Sequence, residues 1–261
     1  MQYSSIGSGS KGNGTLVRHS GTTVLIDCGF GVQETQKRLA RLGIGLEDIS
    51  AILVTHEHGD HAKGVGPVAR KGNIPVYMTH GTFRGCKNLD KVDIHWIIPD
   101  SPFRLGSLDI NPVTVPHDAR EPCQFVIGND AGSRIGILTD CGHITRHIVT
   151  SYAGCNALLL ECNHDTHLLS VGAYPPSLKV RVGGDYGHLN NHQSIQFLQA
   201  VDTRQLQQVC ITHISENNND PELVRDAVVQ ELASDIQLTL ADQSDGLPWH
   251  EIDISHLEGS S

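Results

Sequence analysis

Basic residues are scarce in this 261-residue chain: 19 Lys and Arg stand against 29 Asp and Glu, a formal net charge of −10. That balance excludes the wide basic footprint by which many domains hold nucleic-acid backbones, so a polyanionic substrate would have to be steered by a cleft and not by the whole surface. No CxxC occurs among the seven scattered cysteines, at positions 28, 86, 123, 141, 155, 162 and 210. Their odd number and spacing fit reduced thiols better than a disulfide framework. No apolar run approaches the length of a membrane span, and Met1-Gln2-Tyr3-Ser4-Ser5-Ile6-Gly7 lacks a basic segment followed by an apolar one. The expectation is a cytoplasmic protein with no membrane partner and no readable stable protein partner. Aromatic residues are few, 5 Phe and 5 Tyr, whereas histidine reaches 16.

What is present describes a turn-rich globular chain, 38% hydrophobic with 27 glycines and 11 prolines. A single domain over residues 1–254 and a flexible tail over 255–261 are expected. Segments 15–19 and 22–27 read as a hairpin about Ser20-Gly21, 33–42 as a helix closed by Gly43, and 51–54 as a short buried strand. Residues 62–71 read as a helix ended by Gly72-Asn73. Further strands are expected at 75–78, 108–115, 124–127, 135–138, 157–160 and 208–211, and helices at 143–151, 191–201 and 221–231. Strands and helices alternate in both halves, which predicts an α/β fold of two packed mixed sheets flanked by helices, an αββα sandwich.

The recurring event is a polar ligand at a strand end. His56, His58, Asp60 and His61 fall in Thr55-His56-Glu57-His58-Gly59-Asp60-His61, between a buried strand and a helix, so their side chains can converge on one small volume. Imidazole suits Zn or Fe, and Asp adds a harder oxygen ligand. Glu57, between two of the histidines, is expected to point away. A catalytic centre needs further donors and an open position. His117, Asp140 and His213 each follow another predicted strand and are candidates, although each alone reads equally well as a satisfied polar loop residue. Cys141 is expected to be buried, on the ground that neighbours on a strand point oppositely. His143, His147, His167 and His192 are read as structural.

THEHGDH with its downstream His, Asp and His resembles the metallo-β-lactamase superfamily over nearly the whole chain. The resemblance implies two divalent metal ions, Zn foremost, with Mn or Fe admitted by the same donors. It places His56, His58 and His117 on the first metal, Asp60, His61 and His213 on the second, Asp140 as a bridge, and Asp27 as a support from behind. Leu160-Glu161-Cys162-Asn163-His164-Asp165, Tyr186-Gly187-His188-Leu189-Asn190-Asn191 and Ile211-Thr212-His213-Ile214-Ser215 resemble the motif order of tRNase Z, in which Glu161 would orient His188 as a general acid. The chain lacks the long basic arm of that family. Gly7-Ser8-Gly9-Ser10-Lys11-Gly12-Asn13, Asn163-His164-Asp165, Tyr174-Pro175-Pro176-Ser177-Leu178-Lys179, Gly187-His188-Leu189-Asn190-Asn191 and Ser215-Glu216-Asn217-Asn218 are similar to the bacterial YycJ/WalJ-like, nuclease-like branch.

The implied function is a binuclear metal-dependent phosphodiesterase or exonuclease, with DNA favoured and a nucleic acid or another phosphodiester as partner. Asp60, His188 and Glu161 are the expected catalytic set, Asp60 orienting water activated by the metals. Ser10, Asn13, His164 and Lys179 are candidates for contact with substrate or for support of the ligands; Lys179 and Arg181 read equally well as a solvated charged face. The alternatives are a β-lactamase or glyoxalase II-like thioesterase acting on an acyl carbon, and a non-enzymatic metal or nucleic-acid binding module. The second would need fewer ligands than are present.

Overall fold

The computed structural model describes residues 1–253, so the tail expected at 255–261 and the boundary at 254 lie outside the described residues. The first half runs β1 (Gln2–Gly7), β2 (Gly14–His19), β3 (Thr22–Ile26), α1 (Val32–Arg41), β4 (Ala51–Leu53), α2 (Gly59–Ala62), α3 (Val65–Gly72), β5 (Val76–Met78), α4 (His80–Gly85) and β6 (Ile94–Trp96). The second runs β7 (Phe103–Leu105), β8 (Leu108–Thr114), β9 (Cys123–Asn129), β10 (Arg134–Leu138), α5 (Arg146–Ser151), β11 (Ala157–Glu161), α6 (Thr166–Val171), α7 (Pro176–Val182), α8 (Asn191–Ala200), β12 (Gln208–Thr212), α9 (Pro221–Val229), β13 (Gln237–Leu240) and β14 (Leu247–Glu251). These strands form two seven-stranded sheets, ordered β14-β1-β2-β3-β4-β5-β6 and β13-β12-β11-β10-β9-β8-β7.

Alternation along each strand assigns residues to layers. Val17, Val24 and Leu53 face the second sheet and share a core with Ile110, Phe125, Ile137, Leu159 and Cys210. Their neighbours Leu16, Leu25 and Ile52 face outward and are covered by Leu39 of α1 and Val65 and Val68 of α3. On the second sheet Leu158, Leu160 and Ile211 face outward against Ile148 of α5, Phe197 of α8 and Val224 of α9. Strands buried on both faces read as continuous apolar runs, as in Ala51-Ile52-Leu53 and Ala157-Leu158-Leu159-Leu160. The architecture is the expected αββα sandwich.

Strand direction places the polar loops. β3 and β4 run parallel, as do β10, β11 and β12. β8 and β10 are both antiparallel to β9 and therefore point the same way. The carboxyl ends of these strands consequently open onto one edge of the sandwich, where ligands gather in α/β sheets generally.

Four local readings change. The helix expected over 62–71 is split into α2 and α3 around Gly64, whose hypothetical Cβ would lie 1.8 Å from the Phe30 carbonyl oxygen, so the chain must pass there without a side chain. The helix expected from 143 starts at Arg146, because the Thr145 side chain accepts from Ile148 N and caps it. β1, β6, β7, β13, β14 and the short helices α4, α6 and α7 carry no periodic pattern strong enough to read from sequence. Cys141 is buried, but in the loop after β10 and not by strand alternation: its Sγ donates to the His143 carbonyl. All seven cysteines are free thiols, and no helix among the described residues is long and apolar enough to cross a membrane.

Candidate metal centre

Asp27 directly follows β3, Asp140 lies two residues beyond β10, and His213 directly follows β12; all three have positive φ, at 61°, 48° and 54°. This left-handed region is costly for residues with a Cβ and persists where the surroundings over-determine it. Here it turns each side chain back across its strand end toward the same volume. Close approach of the loops requires Gly29, where a Cβ would lie 1.8 Å from the Asp60 carbonyl oxygen. At that point Asn13 N donates to the same carbonyl and Cys28 N donates to that of His61, locking the histidine loop onto the end of β3.

Candidate ligand atoms of His56, His58 and His117 lie within 4.8 Å of one another, and so do those of Asp60, His61 and His213. Asp140 sits between the two triads: its Oδ2 is 3.0 Å from His61 Nε2, and its Oδ1 is 3.9 Å from His117 Nε2 and 3.5 Å from His213 Nδ1. The structure thus brings together every residue proposed as a metal ligand. Glu57 points away, and its Oε1 accepts from Arg120 N.

Whether these residues fit a cation is decided by their tautomers. Thr55 Oγ1 donates its single proton to Asp27 Oδ2, so the 2.9 Å contact with His56 Nδ1 must be donated by the imidazole. His61 Nδ1 donates to Asp27 Oδ2 at 2.7 Å, His117 Nδ1 to the Gly187 carbonyl at 3.0 Å, and His213 Nδ1 to Glu161 Oε1 at 3.0 Å. In each ring the proton faces away from the cluster and the Nε2 lone pair faces into it, the arrangement that outer partners impose on metal-ligating histidines. His56 Nε2 and Asp140 Oδ2 are buried without a hydrogen-bond partner. Leaving one such group unsatisfied costs about 1–3 kcal/mol, more when it is charged. Inward lone pairs, two orphaned acceptors and a nearly buried carboxylate at one point fit divalent cations.

The electrostatics favour positive charge at the same point, supplied either by a cation or, failing that, by a second proton on an imidazole. Burial drives His56 below its ordinary range, away from the charged form. Burial also opposes charge on His61 and His213, but Asp140 with Asp27 outweighs it for His61, and Asp140, Asp60 and Glu161 outweigh it for His213, which is pushed up to about 10. Burial would likewise raise Asp140, yet the surrounding imidazoles hold it well below the carboxylate range. Negative charge on Asp140 is thus favoured only by positive charge immediately around it.

Glu161, the last residue of β11, is fully buried and uses both oxygens twice. Oε1 accepts from His188 Nδ1 at 2.8 Å and from His213 Nδ1, while Oε2 accepts from Cys141 N and Leu189 N, each at 3.1 Å. Burial opposes its charge, but His188 and His213 bring it down to about 2. His188 lines the cleft, and its bond to Glu161 leaves Nε2 as the nitrogen open to it.

The cleft has a volume of about 370 Å³ and is bordered by Asp60, Asp118, Asp140, His188 and Arg181 among others. Of the four further candidates from sequence, Ser10 lies on its rim, and Asn13 reaches the ligands, with Nδ2 3.0 Å from His61 Nε2 and 3.4 Å from Asp60 Oδ2. His164 is buried behind the cleft, with its Nδ1 unpartnered. Lys179 does not border the cleft, because its Nζ donates to the Ser170 carbonyl at 2.6 Å and ties α7 to α6. Lys11 is likewise committed, to Glu216 at 2.7 Å. His143 and His147 bond to the Asp185 carbonyl and to Asp100, off the cleft wall. Sequence reasoning missed Thr55, Asp118 and the Gly187 carbonyl. Thr55 was discoverable as a hydroxyl abutting the first histidine; a carbonyl carries no sequence signal.

Residues 22–214 match the beta-lactamase superfamily domain. The chain is 32% identical over 240 residues to the exodeoxyribonuclease YycJ of Bacillus anthracis, covering 89% of each protein. It is also 32% identical over 239 residues to the exodeoxyribonuclease WalJ of Streptococcus pneumoniae serotype 2, covering 89% of this chain and 88% of that one. Among solved structures, the metallo-β-lactamase fold protein YhfI from Bacillus subtilis superposes with a TM-score of 0.73 at 16% identity, over 96% of this chain and 99% of that one. The domain match and the relatives establish that the chain belongs to the metallo-β-lactamase superfamily, in keeping with the two-sheet sandwich and the candidate ligands at its strand ends.

Proposed function

We propose that this protein is a binuclear metal-dependent phosphodiesterase of exonuclease type, with DNA as its favoured polymer. The observation that carries the reading is the Glu161 carboxylate, which holds a cleft-facing imidazole, His188, and a ligand imidazole, His213, on the same oxygen. Two divalent ions held by His56, His58, His117, Asp60, His61, His213 and Asp140, zinc foremost for this His/Asp donor set, would supply Lewis-acid charge and a hydroxide nucleophile at neutral pH. Asp60 borders the cleft with its side chain 26% exposed, placed to accept a hydrogen bond from the attacking water and orient it. His188 presents Nε2 and, with Nδ1–H fixed by Glu161, delivers a proton to the departing oxygen. An alkoxide leaving group, as in a phosphodiester, needs that proton. The names of the two relatives matched over 89% of this chain support a DNA end as substrate.

The test compares metal-replete and chelator-treated protein on end-labelled single- and double-stranded DNA and RNA, with His188→Ala alongside. Chelator-sensitive shortening from one end is expected, with DNA cleaved faster than RNA. The His188→Ala protein should retain its metal and lose about 10²–10⁴-fold in turnover. Metal content and turnover falling together in His188→Ala would remove the acid assignment. Hydrolysis of a thioester or lactam with none of any phosphodiester would replace the reading with acyl chemistry.

A further inference from the structure

Among the residues bordering the cleft Arg181 is the one Lys or Arg side chain, beside three aspartates, Asp60, Asp118 and Asp140. In a chain of net charge −10, a polyanion entering that cleft meets one Lys or Arg cation besides any metal ions held there. The Arg181 Nε donates to Asp118 Oδ2 while the side chain remains 57% exposed. Asp118 itself lies 3.5 Å from His117 Nε2 and 3.7 Å from His58 Nε2. The guanidinium is thus parked on a carboxylate at the edge of the ligand cluster, with donors left over; a planar fork of five N–H groups can hold a carboxylate and a phosphate or exchange one for the other.

Arg181 does not stand alone. Leu178, Arg181 and Val182 are three and four residues apart on α7, hence on one face, and all three border the cleft together with Tyr174 just before the helix. Nothing on α7 is buried. This face is an apolar and aromatic strip ending in one cation, the pattern that single-stranded nucleic acids meet when a base stacks and its phosphate is paired. The cleft volume of about 370 Å³ is at the small end of the ~300–1,000 Å³ of ligand pockets. A volume of that order suits one splayed nucleotide better than a duplex.

We propose that the Tyr174, Leu178 and Arg181 wall seats a single unpaired nucleotide at the end of a polynucleotide strand, Arg181 taking a phosphate and the Tyr174 ring a base. The proposal rests on the phosphodiesterase reading and adds to it a requirement for an unpaired end. Lys179, the neighbouring cation, takes no part, since its ammonium is spent on Ser170.

The experiment titrates metal-loaded protein into a short fluorescent single strand with cleavage-resistant phosphorothioate linkages and follows anisotropy at several salt concentrations. Arg181→Ala is expected to bind about tenfold or more weakly and to flatten the salt dependence by roughly one phosphate contact, a slope change of ~0.7. Tyr174→Ala should weaken binding with the salt slope unchanged, and Tyr174→Phe should bind as the parent does. Asp118→Asn, which frees the guanidinium, should bind more tightly. A blunt duplex should compete poorly with the single strand. Arg181→Ala matching the parent in affinity and salt slope, duplex competing as well as single strand, or no binding by the parent overturns the proposal. Intact binding as described, with no cleavage of an ordinary phosphodiester strand, would fail the phosphodiesterase reading alone and leave this wall as a strand-binding site.

Discussion

Two walls of the cleft differ in what holds them. The candidate ligand wall is mostly buried by the sandwich: His56 and His61 are 1% exposed, Asp140 2% and Glu161 0%, and among the candidate ligands His58 and Asp60 alone are about a quarter exposed. The α7 wall has no buried residue and is tethered at its cleft end by Arg181 to Asp118 and at its side by Lys179 to Ser170. One wall is set by the core, which fixes its side chains against one another; the other is held by exposed polar contacts, each worth about 1 kcal/mol or less. On the proposed reading, chemistry that must not move sits on the first and recognition that must admit different bases on the second.

Substitutions can break this contrast. The largest effect is expected from Asp140→Ala, which removes the carboxylate between the two triads: metal binding should weaken by more than the ~10–100-fold typical of losing an outer partner, and turnover should fall to background. Elemental analysis after dialysis checks it, and a protein that keeps two ions would show that Asp140 does not join the sites. Next comes Asp27→Ala, which takes the partner from His61 Nδ1 and Thr55 while leaving every candidate ligand in place. Metal affinity should drop ~10–100-fold with residual activity recoverable at high metal, measured by competition with a chelator; unchanged affinity would mean that the ring needs no such anchor. The smallest effect belongs to the other wall. Val180, 75% exposed on the outer side of α7, should tolerate Val180→Ser within ~0.5 kcal/mol by denaturant unfolding, with activity unaltered. A larger loss would show that α7 is packed more firmly than its exposure indicates.

The same contrast explains how far the sequence could be read. The ligand wall was legible because buried parallel strands leave unbroken apolar runs, each ending in a polar residue: Ile52-Leu53-Val54 before the histidine cluster, Ile137-Leu138 before Asp140, Cys210-Ile211 before His213. Four donors within six residues, two from each triad, made the centre visible without any relative, whereas Glu161 and His188 needed motif order, since partners 27 residues apart touch only in the fold. The α7 wall was scarcely legible. Arg181 and Lys179 are two residues apart and chemically alike in sequence, yet one faces the cleft and the other bonds to Ser170. That difference lies in the orientation of a short exposed helix, which leaves no hydrophobic period to follow. The opening glycine segment shows the same limit from the other side: its lysine pairs with Glu216, and its asparagine is what reaches the ligands.

The role of His188 can be tested by leaving-group dependence. Parent and His188→Ala proteins, matched for metal content, would be compared on a nitrophenyl phosphodiester, whose leaving group departs without a proton, and on an oligonucleotide, whose alkoxide does not. If Glu161 holds His188 as the proton donor, the variant loses about 10²–10⁴-fold on the oligonucleotide and far less on the nitrophenyl ester. Equal losses on both substrates would contradict proton delivery by His188.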